Sequence, residues 1–275
     1  MVRHDDRPAG FWLCSSDGVR LSARHDPPLV DGRVVGGTVE GAVDFAVVVA
    51  HGFTGSWARP AVRGVVEALR TIGAGVVSFD FRGHGASAGS STVGREEVLD
   101  VEAAVSWARE LGYSRVATLG FSMGAAVVVR HAALAGGVDA VVAVSGPSRW
   151  HYRGTRPMRL LHLGVNTWAG RAVLRHGFST RVSPAPWDPP PEPPDAVVNR
   201  IAVPLLVVHG DADHYFPLEH ALWLARTAGP AATLWIERGF GHAENAAPPG
   251  LTARIAAWIA AAALPVPDPS ARMRP

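Results

Sequence analysis

Three places in this chain carry side chains suited to nucleophilic catalysis. Ser122 lies in Gly120-Phe121-Ser122-Met123-Gly124, Asp211 and Asp213 lie in His209-Gly210-Asp211-Ala212-Asp213, and His242 follows Gly241. An alcohol is a weak nucleophile at neutral pH, so attack by Ser122 needs a base to take its proton and an acid to orient that base. The chain order of serine, then acid, then histidine suits a nucleophile carried on a strand-to-helix elbow. Such a catalyst gains activity as the imidazole of His242 becomes neutral.

The elements around these residues have to place them together. The pentapeptide directly follows the apolar run Val116-Ala117-Thr118-Leu119 and precedes a helical segment, Ala125 to Leu134. A sharp turn from strand to helix needs glycines where a Cβ would clash, and it holds the hydroxyl at the carboxyl end of a sheet above a helix N-terminus. Similar apolar runs occur at 45–50, 76–79, 140–144, 205–208 and 234–236. Runs apolar at successive positions fit parallel strands covered on both faces. Between them, Val62, Val65, Leu69 and Ile72 recur at helical spacing after Pro60. A second helix is expected with Glu96 and Glu97 in its first turn, where the dipole favours negative charge, and Val98, Val101, Val105 and Ala108 as its buried stripe. Residues 11–25 read as an antiparallel hairpin turning at Asp17-Gly18. This alternation predicts a doubly wound sheet, with Asp211, Asp213 and His242 all on loops at the edge where such sheets bind ligands.

Composition sets outer bounds. The 275 residues are 48% hydrophobic and 18% charged, as in compact globular chains. All 26 basic residues are arginine, against 24 acidic ones, and a net charge of +2 is too weak a field to imply a nucleic-acid partner. Without lysine there is neither Schiff-base chemistry nor a P-loop. Cys14 is the only cysteine, which excludes an intramolecular disulfide and a cysteine-based zinc site. The N-terminal stretch has no apolar core of a secretory signal, and the ten apolar residues from Ile255 to Leu264 are too few to span a bilayer, so a cytoplasmic chain without a transmembrane segment is expected. His-Gly-Asp-Ala-Asp-His has the look of a metal site, but its groups have other roles; no metal and no cofactor are expected.

Four segments in order, His51-Gly52-Phe53, Asp80-Phe81-Arg82-Gly83-His84-Gly85-Ala86-Ser87, the Ser122 elbow and the Asp213/His242 pair, resemble the α/β-hydrolase superfamily over residues 11–262. Within it the chain is most similar to bacterial serine esterases and lipase-like enzymes with a short lid. The resemblance implies an α/β-hydrolase fold, with a mostly parallel central sheet, helices on both faces and a small lid insertion. It implies Ser122 as nucleophile and His242 as general base and then acid. Its pattern places the acid three residues beyond the glycine, which selects Asp213 over Asp211 to hold the imidazole tautomer. The implied oxyanion hole is formed by the backbone N–H groups of Met123 and Phe53. Val144-Ser145-Gly146 lacks the carboxylate that some relatives carry there. His51, His84, His209 and His214 read as structural or as bystanders, and Trp223, Trp235 and Trp258 as core.

Residues 1–146 and 200–264 form the expected core domain, 147–199 the lid insertion and 265–275 a disordered tail. Residues 184–194 hold seven prolines, and 147–200 hold eight arginines against Asp188, Glu192 and Asp195. Trp150, Tyr152, Trp168 and Trp187 interleave with those arginines as candidate walls of an acyl pocket. The arginines face either solvent or an anionic partner, such as an acyl carrier or a lipid head group. The function implied is cleavage of a carboxylic ester or thioester through an acyl-enzyme intermediate. Amide or carbon–carbon hydrolysis by the same triad, and ligand reception on the same scaffold, are the alternatives.

Overall fold

The computed structural model describes residues 10–30, 33–34 and 44–263; the N-terminal stretch read for a signal and the expected tail at 265–275 lie outside the described residues. Strands β1 (Phe11–Cys14) and β2 (Arg20–Asp26) form a hairpin around Asp17-Gly18. A two-residue ladder, β3 (Leu29–Val30) with β4 (Arg33–Val34), follows, too short to leave a periodic signal in the sequence. The remaining strands are β5 (Phe45–Ala50), β6 (Gly75–Phe79), β7 (Arg115–Phe121), β8 (Ala140–Val144), β9 (Leu205–Gly210) and β10 (Ala232–Glu237). One eight-stranded sheet runs in the order β1-β2-β6-β5-β7-β8-β9-β10. Its first two pairings are antiparallel and the rest parallel.

The helices are α1 (Pro60–Arg70), α2 (Glu97–Glu110), α3 (Met123–Leu134), α4 (Arg156–Asn166), α5 (Trp168–Phe178), α6 (Pro194–Val197), α7 (Glu219–Ala228) and α8 (Pro249–Ala263). Both faces of the sheet are covered, which is why β5 and β8 at its centre are apolar at every position. Along β5, Ala46, Val48 and Ala50 pack into a layer with α2, α3 and α7, and Phe45, Val47 and Val49 into one with α1 and α8. Each such valine or phenylalanine withdrawn from water contributes about 1.5–3 kcal/mol. Trp235 and Trp258 pack at the rim of the second layer. Trp223 departs from expectation: it lies outside both core layers, half-buried, with the Arg149 guanidinium 4.2 Å from its ring centre.

Glu97 opens α2, as expected, and it is fully buried there. Its carboxylate accepts from the hydroxyls of Ser91 and Thr92 and the amides of Thr92, Val93 and Gly94, so it organises the 91–94 turn.

Between β8 and β9 the chain leaves the sheet. Helices α4 and α5 form a hairpin whose hinge, Thr167, accepts the Gly170 amide on its hydroxyl. A Cβ at Gly170 would lie 2.5 Å from Gly164 Cα, so two glycines allow the helix backbones to touch. Of the two helices only Met158 is buried. Later in the segment, backbone contacts of Thr180 and Val182 with His84 and Ser91 tie it to the core, and Val197 and Val198 are fully buried.

Candidate active site

Ser122 is placed by backbone geometry. Ser122 has φ 52° and ψ −114°, a conformation that costs a non-glycine residue about 1–3 kcal/mol and persists only where its neighbours enforce it. Those neighbours are specific. The Ser122 amide donates to Val144 O on β8 at 2.9 Å. A Cβ at Gly120 would meet Gly124 O at 2.3 Å, and one at Gly124 would meet Ala50 O at 2.3 Å. Both glycines of the pentapeptide therefore serve close backbone approach.

The structure brings Ser122, His242 and Asp213 together from three strand ends. His242 Nε2 lies 2.9 Å from Ser122 Oγ, and His242 Nδ1 lies 2.8 Å from Asp213 Oδ2. Asp213 Oδ1 accepts the Tyr215 and Phe216 amides at 2.7 and 3.1 Å. Burial works to raise the Asp213 pKa, but the His242 hydrogen bond and charge and the two amides outweigh it and hold the carboxyl below its ordinary range. The ionised carboxylate fixes the tautomer with Nδ1–H, leaving Nε2 free to accept the serine proton. Tyr215 stacks on the imidazole with ring centres 4.2 Å apart. Asp211 is used elsewhere: its Oδ1 accepts the Gly239 amide at 2.6 Å and ties the loop after β10 in place. At the end of β8, Ser145 Oγ accepts the Ala243 amide at 3.2 Å, so the position without a carboxylate steadies the histidine loop.

The loop after β5 faces the serine. His51 Nδ1 is 2.7 Å from Gly52 O, and His51 Nε2 accepts the Phe81 amide at 3.1 Å. Gly52 O also accepts the Gly55 amide, at 2.9 Å. These contacts orient the Gly52–Phe53 peptide, whose N–H belongs to Phe53. Among the described residues, neither the Phe53 nor the Met123 amide has a hydrogen-bond acceptor. Burial drives the His51 pKa down to about 4, so the ring is neutral and both nitrogens keep their partners. The segment after β6 is structural: Asp80 accepts the Trp57 and Ala86 amides, and buried Arg82 pairs with Asp100, Asp17 and Glu96. His84 Nδ1 is 3.0 Å from Arg82 O, and His209 Nε2 donates to Phe216 O at 2.9 Å. His214 is exposed.

One buried group escaped the sequence reading. Glu244 Oε1 accepts the Gly52 amide at 3.1 Å, while its Oε2 has no partner among the described residues. The only sequence signal is a carboxylate two positions after His242, which links the histidine loop to the loop carrying Phe53.

A cavity of about 400 Å³ opens above Ser122. Phe53, Met123, Trp150, Tyr152 and Trp187 line it, with Leu161 and Val165 of α4. The indole N–H groups of Trp150 and Trp187 donate to Pro191 O and Thr92 O, leaving their ring faces to form apolar walls. Trp168 does not line this cavity: it sits at the start of α5 with its side chain out in solvent, because the hinge at Thr167 turns it away. Among the described residues no cluster of three or more histidine, cysteine or acidic side chains is placed to hold a metal ion, and no helix is long and apolar enough to cross a membrane.

Residues 46–180 match a sequence-family model described as alpha/beta hydrolase fold. No curated protein sequence matches the chain. Among solved structures, the Pyrococcus furiosus esterase Pf2001 is similar at 25% identity and TM-score 0.71, over 93% of each chain. XC6422 from Xanthomonas campestris, a serine hydrolase described as without a lid, is similar at 22% identity and TM-score 0.65, over 97% of this chain and all of that one. Ferulic-acid-bound Est1E from Butyrivibrio proteoclasticus is similar at 19% identity and TM-score 0.62, over 91% of this chain and 98% of that one.

Proposed function

The chain belongs to the α/β-hydrolase superfamily, and from that premise we propose that it is a serine hydrolase cleaving a carboxylic ester or thioester through an acyl-enzyme. The observation that carries this reading is the unbroken hydrogen-bonded relay from Ser122 through His242 to Asp213 beneath an apolar cavity. His242 Nε2 takes the Ser122 proton as Oγ bonds to the carbonyl carbon, and the oxygen becomes an anion. The Phe53 and Met123 amides donate to that anion; one such donor typically contributes about 3 kcal/mol to the transition state. Collapse re-forms the carbonyl and expels the alcohol or thiol, which carries away the proton from His242. Water then attacks the acyl-enzyme with His242 again as base, freeing the acid and restoring Ser122. The apolar aromatic walls favour an acyl or aryl group over a charged one, and residues 147–199 act as the lid that supplies the roof of the pocket.

A fluorophosphonate reagent tests this directly. Wild-type protein is expected to be labelled on Ser122 and to hydrolyse members of an ester and thioester panel, and Ser122→Ala to do neither. Absence of labelling on the folded wild-type protein would turn the reading toward a ligand receptor.

A further inference from the structure

We propose that the outer surface of the α4–α5 hairpin is a docking face for an anionic phospholipid bilayer. Five of the large apolar side chains exposed on this molecule crowd onto these two helices: Leu160 and Leu163 (each 59% exposed), Trp168 (80%), Val173 (61%) and Phe178 (47%). Single exposed leucines are ordinary, but a cluster marks a surface with a partner. The hairpin is also strongly basic. No carboxylate occurs between Asp139 and Asp188, a stretch holding seven of the arginines. Arg153, Arg156, Arg159 and Arg175 are exposed, and none forms an ion pair among the described residues.

This combination discriminates among partners. A second copy of the chain would cover the apolar side chains but set arginine against arginine with no acid nearby to neutralise them. A nucleic acid would satisfy the arginines but leaves Leu160, Leu163 and Val173 with nothing to bury against. An anionic bilayer surface satisfies both, taking aliphatic and indole groups into the acyl boundary while its phosphates pair with guanidinium groups. The same hairpin roofs the cavity through Leu161 and Val165, so docking sets the pocket at the lipid surface. Only that consequence, access for bilayer-dissolved acyl esters, rests on the hydrolase reading; the docking itself does not require Ser122.

The test uses the full chain carrying Ser122→Ala and sedimentation with vesicles. Vesicles of phosphatidylglycerol with phosphatidylcholine are expected to carry the protein down at low salt and release it as salt rises, and pure phosphatidylcholine to leave it in solution. Each arginine near an anionic surface is worth about five-fold in partitioning, so Arg156→Gln with Arg175→Gln should lower it about 25-fold. Leu163→Ser with Trp168→Ser should lower it as well. In the Ser122 background, all four substitutions should leave the melting temperature and the turnover of a soluble ester unchanged. Equal binding to neutral and anionic vesicles, or no response to the substitutions, would overturn the proposal. So would a dimer in sedimentation velocity that dissociates with the same substitutions while vesicles go unbound, or an oligonucleotide bound more tightly than the vesicles. Failure of Ser122 to label would leave the vesicle result standing, which keeps the two claims separate.

Discussion

Replacing Gly124 by alanine should disable this enzyme without touching any group that contacts substrate. The new Cβ would lie 2.3 Å from Ala50 O and 2.6 Å from His51 O, both backbone atoms that no side-chain rotation can move aside. Ordinary contact begins near 3.4 Å, so β5 and the N-terminus of α3 must part by about 1 Å. That movement is transmitted at once: His51 is followed by Gly52 and Phe53, while Met123 sits on the other side of the gap. The two amides proposed to face the oxyanion would then no longer converge. A misplacement of about 1 Å typically costs on the order of 100-fold in rate, or about 3 kcal/mol of transition-state stabilisation. Because the lost contacts strengthen only as charge develops on the oxygen, kcat should fall with KM little changed. The assay is steady-state hydrolysis of a soluble p-nitrophenyl ester, with thermal unfolding followed in parallel. Gly64→Ala is the control: it lies within α1 with nothing within 4 Å of the added Cβ, and it should leave turnover intact while raising stability by about 0.5–1 kcal/mol. If Gly124→Ala keeps kcat within about three-fold of wild type, the claim that this glycine sets the width of the oxyanion site is wrong.

Other perturbations probe the supports around the site. Glu244→Gln retains an acceptor for the Gly52 amide and should keep most activity, whereas Glu244→Ala removes it and should lower kcat about ten-fold; equal activity in the two variants would refute a positioning role. Burial depresses His51 from an ordinary 6.5 to about 4, so the unfolded chain takes up its proton first. Stability is therefore whole above about pH 6.5 and declines as pH falls toward 4, by about 3 kcal/mol from this residue. His220, depressed to about 4 by burial and by the charge of His209, adds loss of the same sign. A urea midpoint that stays level between pH 7 and 4.5 would contradict both assignments. Glu97→Gln replaces one acceptor oxygen with a donor facing the Thr92 hydroxyl and the Gly94 amide, and should cost about 3 kcal/mol in chemical denaturation; a change below 0.5 kcal/mol would mean the turn does not depend on that carboxylate.

The sheet and the candidate site residues were legible in the sequence for one reason: each leaves a local mark. Strands buried on both faces can be apolar at every position, as β5 and β8 are, and the glycines around Ser122 record a clash that is visible within five residues. What stayed hidden depends on contacts made across the fold. Asp211 and Asp213 share a loop and a chemistry; the family pattern favours Asp213, but what Asp211 does, accepting the Gly239 amide, depends on the loop after β10. Glu97 carries the mark of a helix first turn, but nothing nearby in the chain shows that the 91–94 turn wraps its donors around it. Trp168 interleaves with the insertion's arginines as the other aromatic residues do, yet the hinge at Thr167 directs it away from the cavity. Periodicity reports which face of an element is apolar, but not what that face meets.

The same distinction explains how the site is built. Ser122 is held by the backbones of β7 and β8, His242 by Ser145 and Tyr215, and the Phe53 loop by His51, Gly55 and Glu244. Apart from His51 within its own triplet and the elbow residues that end β7, these supports lie outside the four short motifs. Chemistry at this sheet edge thus rests on residues whose roles are set by distance across the sheet rather than by spacing along the chain. Ser145→Ala and Glu244→Ala should consequently lower turnover while leaving every motif intact, and measuring kcat for those two variants separates this account from one in which the motifs alone suffice.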